Sequence, residues 1–215
     1  MAGYAIKEMF LTLQGEGLQA GRRAVFVRFA GCNLWSGREQ DRSTADCTFC
    51  DTDFVGTNGD NGGRYADAEA VAARAAALWR DGLEQDVPRR LAVLTGGEPL
   101  LQVDSALLDG LHAAGFEIAI ETNGTLPAPD GIDWICVSPK AGTQIVQRSG
   151  NELKLVWPQP GIDYKAMEEW QFDHFLVQPM DGLSAADARS AAIQFVLGHP
   201  RWRLSVQTHK TVGLR

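Results

Sequence analysis

Seven short apolar runs, at residues 24–30, 91–94, 117–120, 134–137, 153–156, 174–177 and 202–206, constrain this chain more than any other feature. Runs this short between turn signals read as buried strands. Between several of them lie helical patterns at 67–80, 103–114 and 184–197. The first places Val71, Ala75, Leu78 and Trp79 on one face, and the last opens on a capping pattern from Ser184 to Asp187. Strand–helix alternation builds a mostly parallel α/β sheet. A closed barrel of eight such units takes about 250 residues, and this chain has 215. The expected fold is therefore α/β: an open, partial (β/α) barrel with mostly parallel strands, in one domain spanning 1–215. The Gly/Asn-rich stretch 57–63 reads as a flexible loop within it.

In parallel sheets ligands sit beyond the carboxyl ends of the strands. Those ends carry the polar groups here: Thr95-Gly96-Gly97-Glu98-Pro99, Glu121-Thr122-Asn123-Gly124, Ser138-Pro139-Lys140, Gln178-Pro179-Met180-Asp181 and Gln207-Thr208-His209-Lys210. The first run leads straight into Gly31-Cys32-Asn33-Leu34. With fourteen residues between Cys32 and Cys47, Cys47-Thr48-Phe49-Cys50 follows, whose two thiols are spaced to reach one metal centre. Structural zinc takes four protein ligands, whereas an iron–sulfur cluster on three thiolates leaves one iron open. The C-x-x-C pair also fits half a zinc site or a redox dithiol. Cys136, inside an apolar run, reads as a small buried residue or as a fourth zinc ligand.

The formal charge of -7 and pI near 5.1 argue against a broad electrostatic grip on nucleic acid and point to a small-molecule substrate. The first residues form no signal-like apolar core, and no later apolar run approaches a membrane span. A cytoplasmic protein without membrane contact is expected, its clustered cysteines serving as metal ligands instead of disulfides.

Gly31-Cys32-Asn33-Leu34, Cys47 to Thr52 with an aromatic Phe49 before the third cysteine, and Thr95 to Pro99 together resemble the radical S-adenosylmethionine (SAM) superfamily. The usual first interval there is three residues. The expansion to fourteen, the leading Leu13-Gln14-Gly15-Glu16-Gly17 and the tail Gln207 to Lys210 resemble the 7-carboxy-7-deazaguanine synthases of 7-deazapurine (queuosine) biosynthesis, from about Tyr4 to Lys210.

That resemblance implies a radical SAM lyase converting 6-carboxy-5,6,7,8-tetrahydropterin to 7-carboxy-7-deazaguanine with release of ammonia. It implies a [4Fe-4S] cluster on Cys32, Cys47 and Cys50 and Mg²⁺ on Thr52. SAM contacts would come from Phe49, Gly97, Glu98, Glu121, Asn123, Ser138, Pro139, Lys140, Gln178, Pro179, Met180 and Asp181. Substrate contacts would come from Leu13, Gln14, Gly15, Glu16, Arg28, Thr95, His209 and the carboxylate of Arg215. A homodimer and a flavodoxin-like or other reductase are implied as well. The charged insertion at 33–46 reads as a solvated cap over the cluster.

Plainer readings stand beside these. Gly96-Gly97 is also a tight turn, Asn123-Gly124 a turn signal, and Asp51-Thr52-Asp53 a capping turn. Glu98 suits a brace for its loop as well as a SAM contact. Strand alternation would also turn Arg28 to solvent, and His209 and the tail also fit surface decoration. Two other functions compete: a glycyl-radical activase, which has no use for the 13–16 motif, and a zinc-dependent structural or RNA-binding module, which explains neither Gly96-Gly97 nor the acidic pI.

Overall fold

The computed structural model describes residues 3–84, 88–182 and 184–214. Among them, nine strands form one sheet: β1 (Tyr4–Leu13), β2 (Arg23–Phe29), β3 (Gly63–Tyr65), β4 (Arg90–Gly96), β5 (Phe116–Thr122), β6 (Trp134–Val137), β7 (Ser149–Trp157), β8 (Gln171–Pro179) and β9 (Trp202–Leu204). Their order is β3-β1-β2-β4-β5-β6-β7-β8-β9. Every neighbouring pair from β2 to β9 is parallel, while β1 pairs antiparallel with β2 and β3. The sheet stays open between β3 and β9, as the chain length predicts.

Two strands escape the apolar-run reading. In β1, Lys7 and Glu8 interrupt the pattern, yet both are buried. Burying a charge requires a partner, and each has one: Lys7 Nζ lies 2.8 Å from Asp53, and Glu8 accepts from Arg28 Nε at 2.8 Å. The three-residue β3 is too short to show a pattern. Its approach, the 57–63 loop, is pinned, contrary to expectation: Gly59 N–H donates to the Lys7 carbonyl, and Asn61 Nδ2 donates to the Met9 carbonyl.

Helices α1 (Ala68–Arg80) and α2 (Ser105–Ala113) cover one face of the sheet, where Val71, Trp79, Leu107 and Leu111 pack on Val25, Val27, Leu94 and Ile118. Asp67 and Asp104 cap them, accepting from Ala70 N at 2.9 Å and Leu107 N at 3.0 Å; each cap is worth about 1 kcal/mol. Beyond the four-residue α3 (Tyr164–Met167), helix α4 (Ala185–Gly198) seals a second core through Ala192 and Phe195 against Leu155, Val177 and Trp202. The Ser184 side chain makes no cap bond there, so the expected capping pattern does not form.

Strand period decides the rest. In β7, Leu153 and Leu155 point into the helix-side core, so Glu152 and Lys154 project from the other face. That face holds a small core of Ala24, Leu91, Val93 and Ala119. Toward the strand ends it turns polar, with Arg28, Thr95, Glu121, Lys154 and Gln178 facing a common cavity.

Candidate active site

The cavity encloses about 370 Å³ at the carboxyl ends of the parallel strands, walled by the 13–16 loop, the cysteine loops and the tail at 207–210. Every expected contact residue lines it except Glu98, Pro139 and Arg215; Arg215 lies outside the described residues.

Cys32 follows the end of β2, and Cys47 and Cys50 close the insertion. All are free thiols. The Cys47 thiol donates to Cys50, which pulls Cys50 down to about 6 and pushes Cys47 up. Burial raises Cys32, and the nearby charges of Glu98 and Cys50 add to it. Cys136 is buried within β6 and does not line the cavity. Among the described residues, no three of His, Cys, Asp and Glu close on a single ion. The fit to an iron–sulfur cluster rests on the donor set: three thiols facing one space, with the thiol pair in mutual contact.

Gly97 explains how β4 comes so close. A Cβ there would stand 2.0 Å from the Gly31 carbonyl oxygen and 2.8 Å from Cys32 Cβ, so only glycine lets this strand end seat against the first thiol. The N–H groups of Gly97 and Glu98 donate to the carbonyls of Phe29 and Gly31, at 3.4 and 3.0 Å. Both N–H groups are thus engaged by the chain, while Gly96 and Gly97 themselves line the cavity.

Glu98 is fully buried. Burial raises its pKa, opposed by bonds from Asn123 N (2.8 Å), Leu100 N (3.0 Å) and Thr122 Oγ1 (2.8 Å). Its carboxylate braces the loop, and Glu98 is not among the residues that line the cavity. It also places Asn123, whose Nδ2 donates to Asn33 Oδ1 at 3.0 Å and so ties the end of β5 to the cysteine loop. Pro139 stands back as well; its carbonyl accepts from Gln159 Nε2 at 3.3 Å. Lys140 does face the cavity, donating to Ser138 while lying 5.7 Å from the Phe49 ring centre.

Around Thr52 both flanking carboxylates are occupied: Asp51 by Lys210 at 2.7 Å and Asp53 by Lys7 at 2.8 Å. The insertion carries a 3₁₀ helix at Glu39–Thr44 with no buried residue, while Leu34 and Trp35 at its start are buried. It also clamps the thiol turn. Arg42 stacks 4.0 Å from the Trp35 ring centre and donates to the Thr48 and Cys50 carbonyls, both at 3.0 Å.

No protein-family model matches the chain. The 7-carboxy-7-deazaguanine synthase of Bradyrhizobium diazoefficiens is 61% identical over 212 residues, covering 99% of both chains. That of Bordetella pertussis is 58% identical over 211 residues, covering 98% of this chain and 99% of its own. The chain belongs to the 7-carboxy-7-deazaguanine synthase family. The crystal structure of QueE from Escherichia coli agrees in fold, with a TM-score of 0.70 at 28% identity over 96% of this chain and 95% of that one. Membership makes the chain a radical SAM lyase of queuosine biosynthesis and removes the activase and zinc-module alternatives.

Within this family frame, Arg28 is held toward the cavity and not solvent, paired with Glu8 and 6.0 Å from the Phe10 ring centre. His209 packs on the 13–16 loop: a Cβ on Gly15 would lie 2.1 Å from its Nδ1. Thr208, which opens the short helix α5 (Thr208–Thr211), donates from N and Oγ1 to the Gly15 carbonyl, both at 2.9 Å.

Sequence reasoning missed Lys154 altogether. Its Nζ donates to Glu16 at 2.6 Å and to Glu121 at 2.9 Å, with the side chain 4% exposed. Gln207, placed at a strand end by the sequence but given no role there, donates to Glu16 at 2.8 Å. The available signal was a lysine at an inward position of an otherwise apolar strand.

Proposed function

We propose that this cavity binds SAM above the three-thiol centre and 6-carboxy-5,6,7,8-tetrahydropterin against residues 13–16, Arg28, Thr95 and His209, giving 7-carboxy-7-deazaguanine and ammonia. The observation that carries the reading is the single cavity shared by Cys32, Cys47 and Cys50 with Glu16, Arg28 and Glu121. A [4Fe-4S] cluster on these thiols supplies, together with SAM, radical hydrogen abstraction from the substrate.

The chain's own residues bind and orient. Glu16 is an ionised acceptor: burial opposes its charge, but the Lys154 ammonium and bonds from Lys154, Gln207 and Gln178 hold its pKa down to about 2. An ionised carboxylate suits the N–H donors of a pterin edge. Arg28 offers a cation to the substrate carboxylate. Gly97, Asn123, Ser138, Lys140 and Gln178 to Asp181 surround the SAM side, with Glu121 between the two ligands. Thr52 is a neutral oxygen ligand for Mg²⁺, which is reasonable where substrate oxygens complete the shell. The reading also takes in a single domain, a homodimer, a flavodoxin-like or other external reductase, and action in the cytoplasm; no helix among the described residues is long and apolar enough to cross a membrane.

The test is anaerobic incubation of reconstituted protein with SAM, dithionite and the carboxypterin, followed by mass analysis. Appearance of 7-carboxy-7-deazaguanine supports the reading; recovery of unchanged pterin from iron-replete protein refutes it.

A further inference from the structure

Four residues close a ring across the cavity wall, through three side-chain bonds and one backbone N–H. Lys154 Nζ donates to Glu16 Oε2 at 2.6 Å and to Glu121 Oε2 at 2.9 Å. Gln14 Nε2 donates to Glu121 Oε1 at 3.3 Å, and Gln14 Oε1 accepts from the Glu16 N–H at 3.1 Å. The ring joins the 13–16 loop, the end of β5 and the middle of β7. All four members line the cavity. Two carboxylates thus share one ammonium, and without it they would repel each other.

Stability alone is a poor reason for such a ring, because a buried ion pair gives little net stability over an apolar pair of the same volume. What the lysine does supply is a carboxylate held in one place and in one charge state. We infer that Lys154 is a positioning residue that keeps Glu16 a fixed, charged acceptor for the N–H edge of the pterin. This rests on the proposed contact between Glu16 and the pterin.

The groups facing Glu16 support the assignment. From β7 come Lys154 and, just below, Glu152, whose oxygens accept from Trp134 Nε1 at 2.6 Å and Leu18 N at 3.2 Å. From β5 comes Glu121, and from β6 the buried Cys136, close enough to feel both Glu121 and Lys154. From β8 and the tail come the neutral donors Gln178 and Gln207, with His209 against the adjacent Gly15. Lys154 is the cation in hydrogen-bond contact with Glu16, and its charge is the largest influence that favours the ionised carboxylate. Replacing it leaves Glu16 part-buried beside Glu121 without that cation, so the carboxyl should hold its proton to higher pH than in wild type.

The experiment is equilibrium binding of 6-carboxypterin, followed by its fluorescence, to the anaerobic cluster-loaded enzyme between about pH 6 and 8. Four proteins are compared: wild type, Lys154→Met, Glu16→Gln and the double variant. Wild type should show no Glu16 titration. Lys154→Met should bind about tenfold more weakly and weaken further as pH falls, whereas Glu16→Gln should lose a similar factor with no such pH dependence. The double variant should bind no more weakly than Glu16→Gln, because the lysine acts through the glutamate. If Lys154→Met keeps the affinity and profile of wild type, or the double variant loses the product of both factors, the inference about Lys154 falls while the Glu16 site stands. If Glu16→Gln binds the pterin as tightly as wild type, the site reading falls and takes the inference with it. Should Lys154→Met not fold, Lys154→Gln carries the same test, since it keeps a donor without the charge.

Discussion

Lys210 donates to Asp51 at 2.7 Å, joining the last helix to the loop of Cys50 and Thr52 although 159 residues separate the pair. Both side chains are substantially exposed, so the contact adds at most about 1 kcal/mol of stability. Its consequence lies in placement. With Lys210 on Asp51 and Lys7 on Asp53, each carboxylate beside Thr52 carries a cation, which agrees with the Thr52 hydroxyl as the proposed Mg²⁺ ligand.

Thr52→Ala, or removal of Mg²⁺ by chelator, should therefore slow turnover about tenfold or more while SAM affinity holds. Asp51→Asn and Asp53→Asn should cost less than Thr52→Ala. Steady-state rates and SAM binding measured in parallel check this; undiminished turnover in metal-free buffer contradicts it.

Cys32→Ala, Cys47→Ala and Cys50→Ala should each abolish full iron loading and all turnover, because each thiolate holds one iron. Cys136→Ala should keep both, since that thiol is buried in the sheet and does not line the cavity with the other three. Iron and sulfide analysis with the visible spectrum decides; normal activity in any of the first three variants would sink the assignment.

Arg42→Met removes the stack on Trp35 and two bonds to the thiol turn. Together these are worth about 1–3 kcal/mol. Faster loss of iron to chelator is expected, with Arg42→Lys only partly restoring retention because an ammonium lacks the planar fork. Identical iron-loss rates in wild type and Arg42→Met would show that the insertion does not clamp the turn.

Gly15→Ala places a methyl where His209 Nδ1 now lies, 2.1 Å away, so the tail must lift. A several-fold rise in the Michaelis constant for the pterin is expected, with SAM binding unchanged. Deleting residues 211–215 should act in the same direction, whereas Arg215→Ala should do little because the proposed contact uses its backbone carboxylate. A deletion variant that binds pterin normally would mean the tail only covers surface.

Acid stability should carry the mark of Glu16. Its pKa falls from 4.5 to about 2 on folding, so its contribution is present above about pH 4.5 and is lost as pH drops through about 2. Linkage puts that contribution at about 3 kcal/mol. Glu98 and Glu152 shift the opposite way through burial, so the comparison needed is wild type minus Glu16→Gln. Chemical unfolding should show that difference shrinking over this window; a constant difference rules it out.

How much of this was legible in the chain depends on where each partner lies. The cysteine spacing, the seven parallel strands and the polar segments after them are local patterns, and period and turn chemistry report them without knowledge of the fold. Arg28 and Lys154 are different. A charge inside a strand reads as exposed unless its counter-charge is known, and Glu8, Glu16 and Glu121 come from other segments. For the same reason β1 went unread, because the partners that let Lys7 and Glu8 be buried, Asp53 and Arg28 among them, come from other segments. Glu98 read two ways, as brace or as SAM contact, for a related cause: whether a carboxylate at a strand end faces ligand or backbone depends on which N–H groups arrive beside it, here those of Leu100 and Asn123. The sequence by itself determined an open parallel α/β sheet with three thiols at its strand ends, because strand period and ligand spacing are properties of neighbouring residues. Only the tertiary structure decided which charges are buried, which are paired and which face the cavity, because desolvation and Coulomb energy depend on groups that folding brings together from distant parts of the chain.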